Sequence, residues 1–568
     1  MLLRVFPSIP HPLQEDFMKH WRSGLTLTLG LISVAPLLHA AFSSTYTASP
    51  TVPVPTGCFP GPGDLQSCLD IAADDPQANM VVLQPGTYSD GPYNYSPGID
   101  DDGGALVIMN EGATLPVLDG GNSDTCLTIS TFGLPSDLGA DVTINGLVFQ
   151  NCDASSDGGA LDVGTDQAAI TLENSNFFDN STVDDDGGAA ILETNSGAII
   201  VRNSLFERNE TVEDGGALEL VTDTGNIDVL DSVFNDNIAD SGGGGINISS
   251  NTGNITVQGN TFEGNQGGIT DISDGGGARI SSGDGNAVVS GNLFLRNLAG
   301  SNGGALSFFG NTDGPGTVTI VNNIIAGNSN GNSASSTNTL GGGISVFEFG
   351  TALTLTNNTI FGNTSQASDD AANGGGVSIL LGNGDTADLY NNIIFGNSAE
   401  ANGGDIYSDE DGAVASGLTG GTLNLFNNDF TSFYSEALDN GGAGTVNQGN
   451  NIDADPLFVN TAGDDFNLTE GSPAIDVGDP SAPSMPATDF AGDPRPAIPG
   501  TNPDMGALEF QPEPTAPPTP TPTAAPIPPL LLQGDGCSLQ ANALPTGAGL
   551  AWSWLLALGA LAYRRKMK

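Results

Sequence analysis

The chain has 568 residues, of which 66 are acidic and 12 are basic, so its formal net charge is −54. Between residues 41 and 546 the only bases are five arginines. Such a polyanion lacks the clustered lysine and arginine that nucleic-acid binding needs. It should also repel anionic membranes and acidic polysaccharides, whereas the acidity is typical of a protein that stays soluble in a salty habitat.

The first predicted element is a secretory leader at residues 1–41. A basic segment that begins at Met18 precedes an apolar core at residues 25–38, and Ala40 and Ala41 offer small residues for cleavage. The residues before Met18 fit this pattern poorly, so Met18 is an alternative start. The other interpretation is an N-terminal membrane anchor, for which the apolar core is short.

A short helix is expected next, at the entrance to the first repeats. Asp64 is a suitable N-cap, and Leu65, Cys68, Leu69 and Ala72 would share one face of the helix. A helix in this position would close the open end of a stack of strands.

Within residues 58–450 a motif recurs from Asp102 onwards with a period of usually 28–36 residues. Each copy begins with two glycines, continues with two strands of alternating apolar and polar residues, and ends with Phe-x-x-Asn or Ile-x-x-Asn. In the copy headed by Asp214, for example, Leu218 and Leu220 flank Glu219. Three short strands with no helix between them predict one coil of a parallel β-helix. Roughly a dozen stacked coils would share one apolar core.

Stacking aligns the last residue of every copy into a column of asparagines. Asparagine tolerates the left-handed backbone of a corner, and its amide can bond to the next coil. The phenylalanines of the motif, from Phe177 to Phe294, are expected to stack inside the core beside this column. The predicted ladder comprises Asn180, Asn209, Asn237, Asn265, Asn297, Asn328, Asn363 and Asn397.

The five cysteines suggest disulfides in an exported protein. Cys58 and Cys68 flank a short segment and can pair, and Cys126 can pair with Cys152. Cys537 is left over, which indicates a separate role for it.

The Gly-Gly-Ala…Phe-x-x-Asn repeat resembles that of chlamydial polymorphic outer-membrane proteins, and residues 81–88 resemble the entry coil of pectin-lyase-like β-helices. Residues 451–511 contain "NIDADPLFVN" and "NPDMGALEF". They resemble the closing module of choice-of-anchor Q proteins, which are bacterial surface β-helix proteins. The resemblance implies an all-β fold, a right-handed parallel β-helix (a solenoid) at 58–450, followed by a closing module.

A Pro-rich linker at 512–533 and a tail at 534–568 follow. In the tail, Cys537 precedes an apolar run at 547–563 and a basic end. This order resembles the C-terminal sorting tails of Gram-negative bacteria. It implies that a sorting protease removes the hydrophobic helix and that the new end is attached through Cys537. A plain membrane anchor is the alternative, although such a helix spans only ~25 Å of the ~30 Å hydrocarbon core.

The resemblance places the protein at the cell surface or outer membrane of a Gram-negative bacterium, or outside the cell. Contact with the membrane is expected only through the tail, and the protein is expected to be monomeric.

Three acids head consecutive coils, namely Asp157, Asp186 and Asp214. Carboxylates stacked ~4.8 Å apart repel each other, and calcium, which prefers oxygen ligands, would relieve that repulsion. The alternative is that each acid only stabilises a turn, since asparagine replaces it in later copies such as the one headed by Asn302. Calcium is thus the one cofactor that the sequence suggests.

No catalytic residue set is predicted. Residues 41–546 contain no histidine, which excludes Ser-His-Asp and Cys-His nucleophilic sites there. A pectate-lyase-type site would need a base such as Arg279, whose one neighbouring acid, Glu219, lies two copies earlier. Arg208 and Arg296 share another column, three coils apart, and are expected to be solvated.

A glycosidase built on two carboxylates stays open, because acids stacked in a column meet its 5–10 Å spacing by chance. The leading interpretation is an adhesive or structural surface protein that binds glycans or other surfaces. The alternative is a polysaccharide lyase or glycoside hydrolase on the same fold.

Overall fold

In the computed structural model, the described part of the chain forms one compact unit built almost entirely of parallel strands. The predicted leader, Cys58, the Pro-rich linker and the tail with Cys537 lie outside that part. No described helix has the length and apolarity that a membrane span requires. The structure describes residues 44–49, 64–75, 77–97, 104–133, 140–268, 274–310, 316–331, 339–347, 352–367, 371–382, 384–410, 420–435, 444–497 and 501–511.

Each coil adds one strand to each of three long parallel sheets, which we name after the order of the strands that follow the glycine pair. The first-strand sheet has twelve described strands: Tyr93–Tyr95, Leu127–Ser130, Leu161–Thr165, Ala190–Thr194, Leu218–Thr222, Ile246–Ser250, Ala278–Ser282, Leu306–Phe309, Ile344–Phe347, Val377–Leu381, Ile406–Glu410 and Phe433–Ser435.

The second-strand sheet is the longest, with fourteen described strands. They are Ser44–Ala48, Asn79–Leu83, Leu106–Asn110, Val142–Asn145, Ile170–Glu173, Ile199–Arg202, Ile227–Leu230, Ile255–Gln258, Ala287–Ser290, Thr317–Val321, Ala352–Thr356, Thr386–Tyr390, Thr422–Phe426 and Thr445–Gly449.

The third-strand sheet has eleven described strands, and short strands after it form two corner sheets. The third strands are Thr87–Tyr88, Val117–Asp119, Val148–Gln150, Asn176–Phe178, Leu205–Glu207, Val233–Asn235, Thr261–Glu263, Leu293–Leu295, Ile324–Ala326, Thr359–Phe361 and Ile393–Phe395. The corner strands are Asp153–Ala154, Ser181–Thr182, Glu210–Thr211, Ile238–Ala239, Gln266–Gly267, Leu298–Ala299, Thr364–Ser365 and Ser398–Ala399.

These sheets confirm the predicted stack of about a dozen coils. Inward residues of all three sheets form one continuous apolar core. Its most regular feature is the predicted phenylalanine stack, which begins one coil earlier, at Phe149. The ring centroids of Phe149 and Phe177 are 4.7 Å apart, and those of Phe206 and Phe234 are 4.9 Å apart, so each coil rises by the strand spacing.

The asparagine column forms a continuous ladder. Asn209 Nδ2 donates to Asn237 Oδ1 at 2.9 Å, and the backbone N–H of Asn209 donates to the same oxygen at 3.0 Å. The other predicted members make the same contacts, and Asn397 ends the ladder on Asp405 Oδ1. One detail of the prediction is wrong: the left-handed residue is the one before each ladder asparagine, for example Asp236 with φ of 51°.

A second ladder, which the sequence analysis missed, follows the corner between the second and third strands. It is built in the same way, with each amide nitrogen donating to the next amide oxygen. Its members are Asn260, Asn292, Asn323, Asn358, Asn392, Asn428 and Asn451.

The glycine pair makes the third corner. Gly215 has φ of 72°, which favours glycine. A Cβ on Gly216 would lie 2.1 Å from the carbonyl oxygen of Gly244 in the next coil, so this position also excludes a side chain. The first glycine therefore supplies the turn and the second lets adjacent coils approach.

The predicted capping helix spans Leu65–Ala73 and is confirmed. Asp64 Oδ1 accepts the backbone N–H of Ser67 at 2.8 Å, and the apolar face packs on the first coils. A disulfide joins Cys126 and Cys152, with 2.01 Å between the sulfurs. Cys68 is also disulfide-bonded.

The described residues of the closing module, 451–497 and 501–511, fold back along the outer face of the third-strand sheet. They contain the antiparallel pair Phe458–Asn460 and Asp465–Leu468, joined by the 3-10 turn Thr461–Gly463. Outward residues of the third strands are polar at Glu207 and Glu263. From Leu295 onwards they are apolar, and there they pack against Phe466, Leu468, Ala507 and Leu508.

Left-handed asparagines at the second corner fix this module to the coils. Asn357 Nδ2 donates to the carbonyl oxygens of Asp504 and Gly506, and Asn391 exchanges hydrogen bonds with Asp479. Inside the module, Arg495 Nη1 lies 2.9 Å from Glu509 Oε1, and both side chains are almost fully buried.

Candidate functional site

The column of acids that heads the coils makes hydrogen bonds between coils. Asp186 Oδ1 accepts the backbone N–H of Asp214 at 2.9 Å, and Asp214 Oδ1 accepts that of Gly242 at 2.6 Å. Asn302 Oδ1 accepts the N–H of Leu340 in the same way. Both aspartate and asparagine therefore provide an oxygen acceptor at the head of a coil, whereas Gly242 and Leu340 head coils without one.

The structure brings together only two of the three acids predicted to bind calcium. Carboxylate oxygens of Asp157, Asp185 and Asp186 lie within 4.8 Å of one another, whereas Asp214 is not part of this group. Burial, followed by the charge of Asp185, raises the pKa of Asp157 to about 6. Sequence reasoning missed Asp185 as a partner, although the run of three acids at 184–186 marks the turn.

Asp214 belongs to a different cluster, on the outer face of the first-strand sheet. Its Oδ2 lies 3.4 Å from Arg279 Nη1 and accepts Asn247 Nδ2 at 3.3 Å. Asn247 also donates to Glu219 Oε1 at 3.1 Å, and its own Oδ1 accepts Arg279 Nη1 at 3.3 Å. The expectation that Arg279 and Glu219 have no further partner is therefore wrong, because Asn247 connects them.

The register of the strands explains this cluster. Glu219, Asn247 and Arg279 are direct neighbours on three successive strands. Gly242 heads the middle coil and has no side chain, so the long side chain of Arg279 can reach past it to Asp214. A carboxylate at position 242 would compete for the same space.

Glu219 is the most deeply buried member of the cluster, with 5% of its surface exposed. Its Oε2 has no hydrogen-bond partner among the described residues. Burial, and then the charge of Asp186, raises the pKa of Glu219 well above its usual value. The cluster thus contains one carboxyl group that favours its protonated form.

Aromatic rings continue the same face. The guanidinium carbon of Arg279 lies 5.3 Å from the ring centroid of Phe309, and Phe309 stacks on Phe347 at 5.3 Å. Both rings are half-buried and stack along the solenoid axis, so they turn their edges outward. We name the residues Asp214, Glu219, Asn247, Arg279, Phe309 and Phe347 the acid-aromatic face.

The two other arginines singled out from the sequence are paired with acids. Arg208 contacts Asp179 through Nε at 2.7 Å and through Nη2 at 2.9 Å. Arg296 contacts Glu263 and Asp464. Their predicted column is correct, but the expectation that they are merely solvated is wrong.

The sequence matches a family model described as right handed beta helix region over residues 136–294. No curated protein sequence matches the chain. The fold is a right-handed parallel β-helix.

Seven solved chains match in structure. A complex of XylC with xylose covers 82% of this chain and 98% of that chain, at 10% identity and a TM-score of 0.44. Pectate lyase Pel9A covers 82% of this chain and 96% of that chain, at 14% identity and a TM-score of 0.28. Similarity this low carries no information about activity.

Proposed function

We propose that the protein is an exported β-helix, anchored at the cell surface, that binds glycans or other surfaces through the acid-aromatic face. The observation that carries this proposal is the connected cluster of Asp214, Asn247, Glu219 and Arg279 beside the Phe309–Phe347 stack. Asp214 and Arg279 are each 31% exposed and are held in fixed positions by the buried Asn247 and Glu219, and an apolar strip runs next to them. Recognition of polyhydroxylated ligands needs this combination.

The charge of the face narrows the ligand class. Arg279 is the only base of the face, and Asp214 already pairs with it, while Asp186 adds a further acid close to Glu219. A polyuronate would therefore meet net repulsion. Neutral or amine-bearing glycans are the ligands that fit.

The surface location rests on the ends of the chain. The resemblance of 451–511 to the choice-of-anchor Q module and of 534–568 to sorting tails supports attachment through Cys537 after cleavage by a sorting protease. The leader at 1–41 supplies export. We propose a location on the surface of a Gram-negative cell.

A glycoside hydrolase is the second candidate, because Glu219 and Asp214 are two nearby carboxyl groups in unlike environments. Unlike environments separate an acid from a base in such enzymes. Glu219 is shielded from solvent, however, so a substrate would reach it only after Asn247 or Arg279 moves. This shielding favours binding over cleavage.

The test is a panel of neutral, amine-bearing and acidic polysaccharides, assayed with the full-length protein for both binding and released product. We expect binding without turnover, and affinity about tenfold lower in Arg279→Met and in Phe309→Ala. Tyr390→Ala is the matched control, because Tyr390 stacks on Phe426 at 5.5 Å on the second-strand sheet. Product release that disappears in Glu219→Gln would establish the hydrolase instead, and equal loss in Tyr390→Ala would refute the face.

A further inference from the structure

A concave site lies where the closing module meets the coils. It is a cavity of about 240 Å³, open on one side, between the third-strand sheet and the turn Thr461–Gly463. Its walls include Arg296, Phe361, Asp464 and Phe466. None of these residues belongs to the acid-aromatic face.

The sequence of one corner column creates the cavity. The left-handed residue before the ladder asparagine is Arg296 in one coil, and it is Gly327 and Gly362 in the next two coils. No atom lies within 4 Å of the place where a Cβ on Gly362 would stand. Two missing side chains therefore leave a gap, and the 3-10 turn of the module covers its side.

The floor of the cavity is aromatic. Phe361 and Phe466 have ring centroids 5.9 Å apart, and both rings contact Phe458 edge-on at 5.5 Å. Ala326 completes this apolar surface. Because three rings hold one another, the floor is rigid before any ligand arrives.

Polar groups stand at the rim. Arg296 Nη1 lies 2.9 Å from Asp464 Oδ1, and its other amino group contacts Glu263. Arg296 has φ of 54°, a strained conformation for a residue with a side chain. An arginine and a carboxylate side by side offer donors and an acceptor to adjacent hydroxyl groups, as in sugar recognition.

We propose that this cavity binds one neutral pyranose ring, the terminal unit of a glycan. The aromatic floor takes the apolar face of the ring, and Arg296 and Asp464 bind its hydroxyl groups. The volume lies below the ~300–1,000 Å³ of pockets for drug-sized ligands, so one ring fits rather than an oligomer. Two acids against one arginine at the rim disfavour a uronate.

The test measures binding of methyl glycosides of glucose, galactose, mannose and xylose to the full-length protein by saturation-transfer NMR and calorimetry, with methyl glucuronide as the acidic comparison. Gly362→Asn fills the cavity, and asparagine tolerates the left-handed backbone there, as Asp179 and Asp236 do in the same column. We expect affinity for the bound neutral glycoside to fall about tenfold or more in this variant.

Gly291→Asn is the matched control. Gly291 is left-handed, with φ of 63°, has no atom within 4 Å of a Cβ, and lies outside the cavity. This variant should bind like the unchanged protein. The proposal is overturned if no neutral glycoside binds, or if Gly362→Asn binds as tightly as Gly291→Asn. Polysaccharide binding that depends on Arg279 and Phe309 but not on Gly362 would leave the proposed function intact and reject this cavity.

Discussion

Arg279 Nη1 lies 3.4 Å from Asp214 Oδ2, although one complete coil lies between the coil of Asp214 and the coil of Arg279. Both side chains are 31% exposed, and the contact is long. The pair itself should therefore stabilise the fold by less than about 1 kcal/mol. Its significance is positional, because it holds the guanidinium over Phe309 and beside Asn247.

Asp214 has two roles that substitution can distinguish. It accepts the backbone hydrogen bond from Gly242, and it supplies a negative charge beside Arg279. Asp214→Asn keeps the oxygen that accepts the N–H of Gly242, so we expect its melting temperature to change little. Asp214→Ala leaves that N–H without an acceptor and should cost about 1–2 kcal/mol of unfolding free energy. Denaturant unfolding of the two variants makes the comparison, and equal losses would show that the charge matters more than the turn.

The buried asparagine ladder should be a major source of stability. Asn237 accepts two hydrogen bonds from Asn209 and donates to Phe206 O and Asn265 Oδ1, with none of its surface exposed. Asn237→Ala leaves several buried groups unpaired, so we expect a loss of about 2–4 kcal/mol.

The control for the ladder is Asn254→Ala. Asn254 also bonds to neighbouring coils, through Asn226 and Asn286, but on an exposed turn. We expect it to lose less than about 1 kcal/mol, because water replaces the lost bonds. Similar unfolding midpoints for the two variants would contradict a special role for the buried ladder.

Arg495 should hold the closing module on the coils. Its Nη2 donates to Asn322 Oδ1 and to Ala507 O, and its Nη1 contacts Glu509. Arg495→Met leaves Glu509 buried without its cation, which should cost about 3–5 kcal/mol.

Two comparisons sharpen that prediction. Adding Glu509→Gln to Arg495→Met should recover part of the loss, because the unpaired charge is then gone. Arg202→Met removes an arginine from an exposed pair with Glu173 and should cost less than about 1 kcal/mol. Limited proteolysis should cut residues 451–511 first in Arg495→Met, and resistance equal to that of Arg202→Met would contradict the role.

We predict that, of the acids that head the coils, those that the structure brings together bind calcium. The carboxylates of Asp157, Asp185 and Asp186 lie close together, and a divalent ion would relieve their repulsion. We expect millimolar calcium to raise the melting temperature, and Asp185→Asn to abolish the rise while Asp214→Asn keeps it. An unchanged melting temperature across the titration would reject calcium.

The period of the sequence was sufficient to predict the coils. In every copy the alternation of apolar and polar residues determines which side chains face inward, and this does not depend on distant residues. Leu218 and Leu220 must face inward whatever follows, and the glycine pair must turn the chain. The asparagine ladder could also be predicted, since stacking converts equal sequence positions into contacts. The second ladder was readable in the same way, from the polar residue two places before Phe234 and Phe262.

Contacts between different coil positions could not be predicted in this way. Arg279 reaches Asp214 only because Gly242 leaves a gap between them, and that depends on three coils at once. The docking of residues 451–511 depends on the change from Glu263 to Leu295 on an outward position. This change is visible in the sequence, but it does not identify the partner that covers it.

Asp429 is a buried acid, and none of the described cations contributes to its charge balance. None of its surface is exposed, and its Oδ2 has no hydrogen-bond partner among the described residues. Burial, followed by the charges of Asp453, Asp405 and Asp455, raises the pKa of Asp429 from 3.8 to about 7, although the hydrogen bond from the Ala454 N–H acts in the opposite direction. In the folded protein Asp429 therefore binds its proton more tightly than in the unfolded chain.

The sign of the resulting pH dependence follows from that difference. The contribution of Asp429 to stability is complete below pH 3.8 and is lost as the pH rises through about 7, because the folded state must then bury a charge. Asp429→Asn cannot ionise, so we expect it to melt with the unchanged protein near pH 4 and several degrees above it at pH 8. Asp228→Asn, on the outer face of the second-strand sheet, removes one acid from a position facing solvent and controls for the general relief of negative charge. The measurement is the melting temperature of the unchanged protein and of both variants from pH 4 to pH 8. If the melting temperature of Asp429→Asn follows that of Asp228→Asn over this range, Asp429 does not titrate in it.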